Sequence, residues 1–431
     1  MQSAGEVTPD LPEPVAGKSE RLASLDFIRG IAVMGILVAN IIAFGQPMTA
    51  YLYPDAFTVP HSEAEDWLWV AQLVLIDGKM RGLFSLLFGV GLLLFMDKAW
   101  AKGRTRWLQV RRLCWLALFG MAHFFLLWRG DILFLYAVAG AFALLFAKLN
   151  RRHLMTLGLV GYVLGALLYA GMLGTLQIVA DTDVGAQPEL AEFSEGLEEG
   201  KDTDLADDRL DTALISQGRY AAWVTHNFTD HLSDLGSMVL VFGFETLPLM
   251  LIGMALYRYG VFDGSANPKK LRKWGWIMAV IGTGLTVPLA LWTKAGGLTY
   301  YGTLAAMAGY SMMPRLPVII GLAFLLSLWG SSANGWLAQR VSAAGRAAFT
   351  NYLGTSILMV LIFHGWAGGL FGQLGRVELY LVALLTCILM LAWSKPWLER
   401  YLYGPLEWLW RCLTYGRLFP LKRDVQGATS Q

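Results

Sequence analysis

The chain has 431 residues, 56% of them hydrophobic and only 15% charged, with a formal net charge of +2. Soluble domains carry about 25% charged residues, and a near-neutral chain has no basic surface for nucleic acid; both classes are excluded. The apolar residues fall in runs of about 20, the length that crosses a bilayer as a helix, so the expected fold is an all-α polytopic integral membrane protein.

Residues 1–24 are polar and rich in Pro, Gly and acidic side chains. They lack the basic-then-apolar order of a cleaved signal peptide and read as a disordered cytoplasmic leader. The periodicity then predicts ten transmembrane helices, near 25–45, 79–97, 110–128, 131–148, 154–178, 236–257, 273–293, 314–330, 346–364 and 377–394. The basic residues of the connecting segments, among them Lys98 to Arg112, Arg151 with Arg152, Arg258 to Lys273 and Arg340 with Arg346, all fall on one side of this arrangement. The positive-inside rule makes that side the cytoplasm, with both termini there. The segment 395–431 reads as a cytoplasmic amphipathic tail lying on the inner leaflet.

The opposite face carries a long loop, 179–235, in which twelve acidic residues between Asp181 and Asp211 oppose only Lys201 and Arg209. That balance predicts a flexible, solvated extracytoplasmic loop with short helices. Residues 64–77 are too apolar for a loop and are expected as an interfacial or partly inserted helix, with Trp67 and Trp69 at headgroup level. A similar half-helix is expected at 299–312. Cys114, Cys387 and Cys412 share no short spacing, so neither a disulfide framework nor a metal site is expected from them.

The stretch Leu25-Asp26-Phe27-Ile28-Arg29-Gly30 opens the first span with Asp26 and Arg29 three residues apart on one helix face. Asn40 follows eleven residues after Arg29, roughly 16 Å further along, so one helix presents polar groups to both sides. The topology gathers an outer cluster: Asn40, His61, Asp77, Lys79, Arg81, His123, Arg129, Asp131 and His364. Ionisable groups at such depths are costly and mark sites, and an imidazole is the usual base near neutral pH. Each member also has a plainer explanation. Arg129 and Asp131 could pair across a hairpin, Lys79 and Arg81 could reach lipid headgroups, and a lone histidine could be a hydrogen-bonded packing residue. An inner cluster holds Asp26, Arg29, Arg346, Asn351, Tyr352 and Arg411, whose guanidinium groups suit the phosphates of a cytosolic ligand. The sequence has no Walker loop, dinucleotide fingerprint, Gly-x-Ser-x-Gly elbow or His-Glu-x-x-His metal motif.

Several motifs carry a family resemblance. They are Leu25-Asp26-Phe27-Ile28-Arg29-Gly30-Ile31-Ala32-Val33-Met34-Gly35-Ile36, Asp77-Gly78-Lys79-Met80-Arg81-Gly82-Leu83-Phe84-Ser85, His123 with Trp128-Arg129-Gly130-Asp131, Asn351-Tyr352 and Tyr403-Gly404-Pro405-Leu406-Glu407-Trp408. Together they resemble the YeiB-like family of bacterial membrane proteins, known as domain of unknown function 418, which implies a multi-pass protein of the bacterial plasma (inner) membrane. The Asp-x-x-Arg-Gly start with a polar residue eleven positions on is more distantly similar to the transmembrane acyltransferase superfamily, including heparan-α-glucosaminide N-acetyltransferase. That branch has an asparagine at the place of Asn40 and a catalytic histidine in the next outer loop. Here His61 follows at a longer spacing, and His123 competes with it.

This resemblance implies transfer of an acyl group, in the first instance acetyl, from cytosolic acyl-CoA to a hydroxyl or amine acceptor such as a glycan or envelope metabolite across the membrane. His123 or His61 would be the base, and Asn40, Lys79 or Arg81 would hold the oxyanion. Asp131 would support the base. The inner residues Asp26, Arg29, Arg346, Asn351, Tyr352 and Arg411 would bind the CoA, while Lys79, Arg81, Arg129 and His364 would meet the acceptor. Membrane lipid is a partner in any case, a homodimer through exposed aromatic surface is compatible with the sequence, and no metal is expected. The rival reading is a transporter or flippase of a small anionic or lipid-linked metabolite, for which Glu245 and Arg315 inside spans are the relevant residues.

Overall fold

The computed structural model describes residues 23–60 and 62–423. All but the last two residues of the expected leader, His61, and the final part of the expected tail lie outside the described residues. Among the described residues the structure is all-helical, without a β-strand. The α-helices are α1 (Ala23–Gly45), α2 (Glu63–Leu75), α3 (Lys79–Ala101), α4 (Trp107–Leu126), α5 (Leu133–Phe146), α6 (Arg151–Asp181), α7 (Ala191–Ser216) and α8 (Tyr220–Asp230). They continue with α9 (Asp234–Arg258), α10 (Pro268–Ala295), α11 (Tyr300–Leu304), α12 (Met312–Ser332), α13 (Trp336–Arg346), α14 (Ala348–Phe363), α15 (Arg376–Arg400) and α16 (Pro405–Tyr415).

All ten apolar segments expected from the sequence are helical. Seven helical stretches, counting α2 and α3 as one, are long and apolar enough to cross a membrane, or eight if the bent pair α13–α14 is a single span. Outward-facing Leu164, Leu167, Leu168, Leu285, Leu384 and Leu385 are exposed, as suits helices solvated by lipid rather than water. The inner positions go to α1, α3, α9 and α12. In α1 61% of the apolar window is buried, against 22% in α10, so α10 is a peripheral strut packed on α12.

Local chemistry sets the element ends. Ser62 and Glu65 form a capping box at the start of α2. Asn150 caps α6 and Asn267 caps α10, where Pro268 occupies the first helical position. Between α2 and α3 the chain turns on Gly78, with φ of +67°. That conformation is open to glycine, and a side chain there would also strike the Arg315 guanidinium. Gly30 lets α1 cross α13 so closely that a methyl group would meet the Val341 carbonyl. The bend of 83° at Ala347 turns α13 across the end of the bundle while α14 continues into it.

Two expectations change. The acidic segment contains the 26-residue helix α7, followed by α8. It is anchored, because the Asp208 carboxylate accepts from the backbone N–H groups of Met48 (3.1 Å) and Thr49 (3.0 Å). Glu192, Glu195, Glu198, Glu199, Asp202 and Asp204 are exposed on its outer face, while Leu197, Leu214 and Ile215 turn inward together with Asp208 and Asp211. Trp69 is buried, with its indole N–H donating to the Leu52 carbonyl (2.8 Å); Trp67 is exposed, as headgroup placement requires. The bundle therefore has a basic end, with Arg29, Arg112, Arg346 and α16, and an acidic end covered by α7 and α8.

Candidate functional site

Helix α4 runs from the basic end to the acidic end and brings His123 near its C-terminus. There His123 meets Asp131, from the turn into α5, and Ser356 of α14. His123 Nδ1 lies 2.8 Å from Asp131 Oδ1, and His123 Nε2 lies 2.8 Å from Ser356 Oγ. All three are at most 1% exposed. The second Asp131 oxygen accepts the Phe134 N–H (2.8 Å), which caps α5 and holds the carboxylate still. A carboxylate on Nδ1 fixes the tautomer with Nδ1–H and leaves Nε2 a lone pair directed at the serine hydroxyl. This is the arrangement of orienting acid, base and nucleophile.

A cavity of about 210 Å³ reaches toward this network from the basic end. Arg29, Arg112 and Arg346 stand at its mouth with Glu407 and Trp410, and its far end is closed by Ile132, Tyr136 and Tyr352. The Tyr352 ring lies 5.1 Å, centre to centre, from the His123 ring, between that imidazole and the cavity. Its hydroxyl oxygen accepts the Ile132 N–H at 3.3 Å, which leaves the O–H able to donate. Arg112 stacks over the rings of Trp410 and Phe95. Glu407 caps α14 by accepting from Phe349 N (2.8 Å) and Thr350 N (3.1 Å), which draws the C-terminal helix over the cavity mouth. Burial there raises the Glu407 carboxyl above the ordinary glutamate range.

A second buried cluster lies beside the α2–α3 turn. Glu245 of α9 bridges Arg81 (2.6 Å) and Arg315 (2.8 Å), and Arg315 also donates to the Met307 carbonyl (2.6 Å) in the π-helical turn Ala305–Tyr310. The Asp77 carboxylate accepts from Tyr51 (2.9 Å) and Gln72 (3.1 Å). A buried carboxylate between two guanidiniums offsets much of the cost of removing each from water.

The sequence-predicted residues are thus distributed over several places. His123 and Asp131 belong to the central network, and Tyr352 closes its cavity. Arg29, paired with Asp26 at 3.3 Å, and Arg346 line the mouth. Asn351 does not: its amide donates to the Ala344 carbonyl (2.9 Å) and accepts from Trp393 (2.9 Å), tying α14 to α13 and α15. Arg411 is stacked on Tyr403, Tyr415 and Phe419 within the tail and is not among the residues that line the cavity. Lys79 does not reach headgroups; it is fully buried and donates to the Leu73 carbonyl (2.6 Å). Arg81 is held by Glu245. Arg129 does not pair with Asp131 but with Asp207 and Asp211 of α7. Asn40 is half-buried on α1, and both His123 nitrogens are taken by other partners. His364 packs against Trp223 and Tyr220, where burial lowers its imidazole to about 4. Ser356, Tyr136, Arg112 and Glu407 were not singled out as site residues by the sequence. A lone serine inside Thr355-Ser356 of an apolar helix is too common a feature to signal a nucleophile.

These observations define an all-helical membrane-type protein that encloses a His–Asp–Ser chain behind a cavity with an arginine-lined mouth. Residues 256–417 match the family model described as "Protein of unknown function (DUF418)". The chain is 31% identical over 408 residues to "Uncharacterized protein YeiB" of Escherichia coli (strain K12), spanning 92% of this chain and 96% of that one. It is 29% identical over 434 residues to "Uncharacterized protein YxaH" of Bacillus subtilis (strain 168), spanning 95% and 98%. No solved structure matches. The chain belongs to the YeiB-like, DUF418 family.

Proposed function

We propose that the protein is a membrane-bound acyltransferase that takes an acyl group, in the first instance acetyl, from acyl-CoA and passes it to a hydroxyl or amine acceptor such as a glycan or envelope metabolite. The observation that carries this reading is the cavity that begins among Arg29, Arg112 and Arg346 and ends one tyrosine ring from the His123–Asp131–Ser356 chain. His123 lies eleven residues along α4 from Arg112, roughly 16 Å, the reach of a pantetheine arm whose phosphates stay with the arginines. A volume of about 210 Å³ lies below the range of roughly 300–1,000 Å³ usual for a whole small-molecule ligand, so it takes the arm and not the nucleotide.

In this mechanism Tyr352 swings aside to admit the thioester. Ser356 Oγ gives its proton to His123 Nε2 and attacks the carbonyl carbon, and Tyr352 donates to the oxyanion. The C–S bond breaks, and the imidazolium returns the proton to sulfur as CoA leaves. The acceptor then loses its proton to His123 and attacks the acyl-serine; the C–O bond breaks and the proton returns to Ser356. Asp131 keeps Nδ1 protonated throughout.

The finer topology of this reading has ten spans, with α4 and α5 crossing beside the eight, in a bacterial plasma membrane. The basic end, both termini and the CoA face the cytoplasm; α7 and α8 face the acceptor. The contact of α16 with α4, through Trp410 donating to the Arg112 carbonyl (2.9 Å), supports a tail on the basic side. The test is thermal unfolding of detergent-purified protein titrated with acetyl-CoA and free CoA. A saturable rise in midpoint, lost in Arg29→Ala and Arg346→Ala, is expected; no shift with any thioester in a cooperatively unfolding sample overturns the reading. The transporter alternative rests on the Arg81–Glu245–Arg315 bridge beside a π-helical turn, and it predicts uptake or efflux defects in Glu245→Gln with CoA thioesters having no effect.

A further inference from the structure

The acidic cap holds a cluster that acyl transfer does not use. Asp207 of α7, His226 of α8 and His231 at the α8–α9 junction bring one ligand atom each to a common point. His226 Nε2 lies 2.9 Å from Asp207 Oδ1, His231 Nε2 lies 3.3 Å from the same oxygen, and the two Nε2 atoms are 3.3 Å apart. The edge of a tetrahedron with bonds of 2.0–2.1 Å is about 3.3 Å, so these separations suit three ligands of one zinc-sized ion.

The outer nitrogens carry the same message. His226 Nδ1 is 2.7 Å from Asp230 Oδ2, and His231 Nδ1 is 2.8 Å from Asp234 Oδ2. A carboxylate on each Nδ1 holds that proton and leaves Nε2 as a lone pair, the usual support for a metal-ligating histidine. Two such lone pairs and a carboxylate oxygen then face one another, and the Arg129 guanidinium, which among these three residues reaches only His231 Nε2 and the other Asp207 oxygen, offsets part of that repulsion.

Asp211 supplies an independent observation. Its side chain is 9% exposed, and Oδ1 is buried without a hydrogen-bond partner, 3.9 Å from His226 Nε2. Its other oxygen takes Arg129, which also touches Asp207 and His231. Four carboxylates (Asp207, Asp211, Asp230 and Asp234) thus surround the imidazoles with one guanidinium among them.

We infer that this cluster binds a divalent transition-metal ion of the Zn2+ class through the converging Asp207 Oδ1, His226 Nε2 and His231 Nε2, with Asp211 Oδ1, 3.9 Å from His226 Nε2, closing in as the fourth ligand. Arg129 stays on Asp211 and gives up His231. Four protein ligands make a closed site, the structural type. The metal clamps α7 to the α8–α9 junction, and Arg129 links it to the turn that holds Asp131. With side-chain exposures of 11% and 12%, the two histidines are reachable from solvent.

The test uses the full chain in detergent, stripped with a chelator and titrated separately with ZnCl2 and CoCl2. Saturable binding of one ion per chain, a raised unfolding midpoint and the strong visible absorption of four-coordinate cobalt are expected. His226→Ala and His231→Ala lose all three, while Asp230→Asn retains the spectrum with affinity roughly 10- to 100-fold weaker. Absence of saturable binding, an octahedral cobalt spectrum in the wild type, or binding that survives in the double histidine variant overturns the inference. If the histidine variants do not fold, the wild-type cobalt spectrum still decides. No readout depends on acyl transfer, so the two readings fail separately.

Discussion

Replacing Asp131 by asparagine separates the chemistry of the central network from its packing. The carboxylate accepts two hydrogen bonds, from His123 Nδ1–H and from the Phe134 N–H, each 2.8 Å long. Asparagine keeps the second by turning its carbonyl toward Phe134, and its NH2 then faces His123. That donor forces Nδ1 to accept, so the ring proton moves to Nε2 and points at Ser356. The hydroxyl can no longer surrender its proton to the ring. Two bonds survive in number, so the stability cost is about 1–2 kcal/mol from lost charge assistance. Turnover is expected to fall about 10⁴-fold, as when the orienting carboxylate of a catalytic triad becomes an amide. Asp131→Ala differs in kind: it leaves a buried N–H and a buried ring nitrogen unsatisfied, at about 1–3 kcal/mol each. The assay is release of free CoA thiol from acetyl-CoA by detergent-purified protein, read beside the thermal midpoint. Asp131→Asn with wild-type thiol release would refute the role given to the His123 tautomer.

Removing the carboxylate of the second cluster, Glu245→Leu, leaves Arg315 buried without its carboxylate and strips the half-buried Arg81 of the same partner. It is expected to lower stability by roughly 3–5 kcal/mol, and a midpoint within a degree of wild type would contradict the bridge as an essential support. His364 is expected to give the fold an acid sensitivity. Its folded value of about 4 lies below the ordinary 6.5, so the unfolded chain takes the proton first. Stability from this group is complete above pH 6.5 and is lost as pH falls toward 4, by at most about 3 kcal/mol. Denaturation of wild type and His364→Gln between pH 7 and 4 should converge at the acid end; parallel curves would argue against it. Gly30→Val at the α1–α13 crossing should cost roughly 1–3 kcal/mol by overpacking, measured as the loss of folded, monodisperse protein on size exclusion; unchanged yield and midpoint would show that the crossing yields.

The membrane helices were legible because span length and apolarity are properties of a contiguous segment. All ten expected segments are helical for that reason, and Ser62, Asn150 and Asn267 start helices where their capping chemistry places them. The acidic segment misled because low overall hydrophobicity conceals an inward stripe. Leu197, Leu214 and Ile215 are enough to seat α7 once Asp208 is fixed by the Met48 and Thr49 amides. Partner choice was the least legible part. Arg129 and Asp131 are two residues apart yet serve different clusters, and the partner that completes the His123 network, Ser356, stands 233 positions away. Pairings of that kind depend on how α4 and α14 pack, which no local pattern encodes. His226, Asp230, His231 and Asp234 do alternate at helical spacing, a signal that a search for cysteine-based or His-Glu-x-x-His sites passes over.

The way α4 and α14 share one network has a consequence for where this chain can be divided. The stretch matched by the family model, 256–417, contains Ser356, Tyr352, Arg346 and Glu407 but neither His123 nor Asp131. That stretch therefore holds only part of the network, and homologues trimmed to it would lack His123, Asp131 and the wall of the cavity formed by α3 and α4. Gene fusions, truncations and domain shuffling in this family should respect the whole length from α1 to α16. A cut in the loop between α9 and α10 should be tolerated only when both pieces are made together and reassemble in the same bilayer.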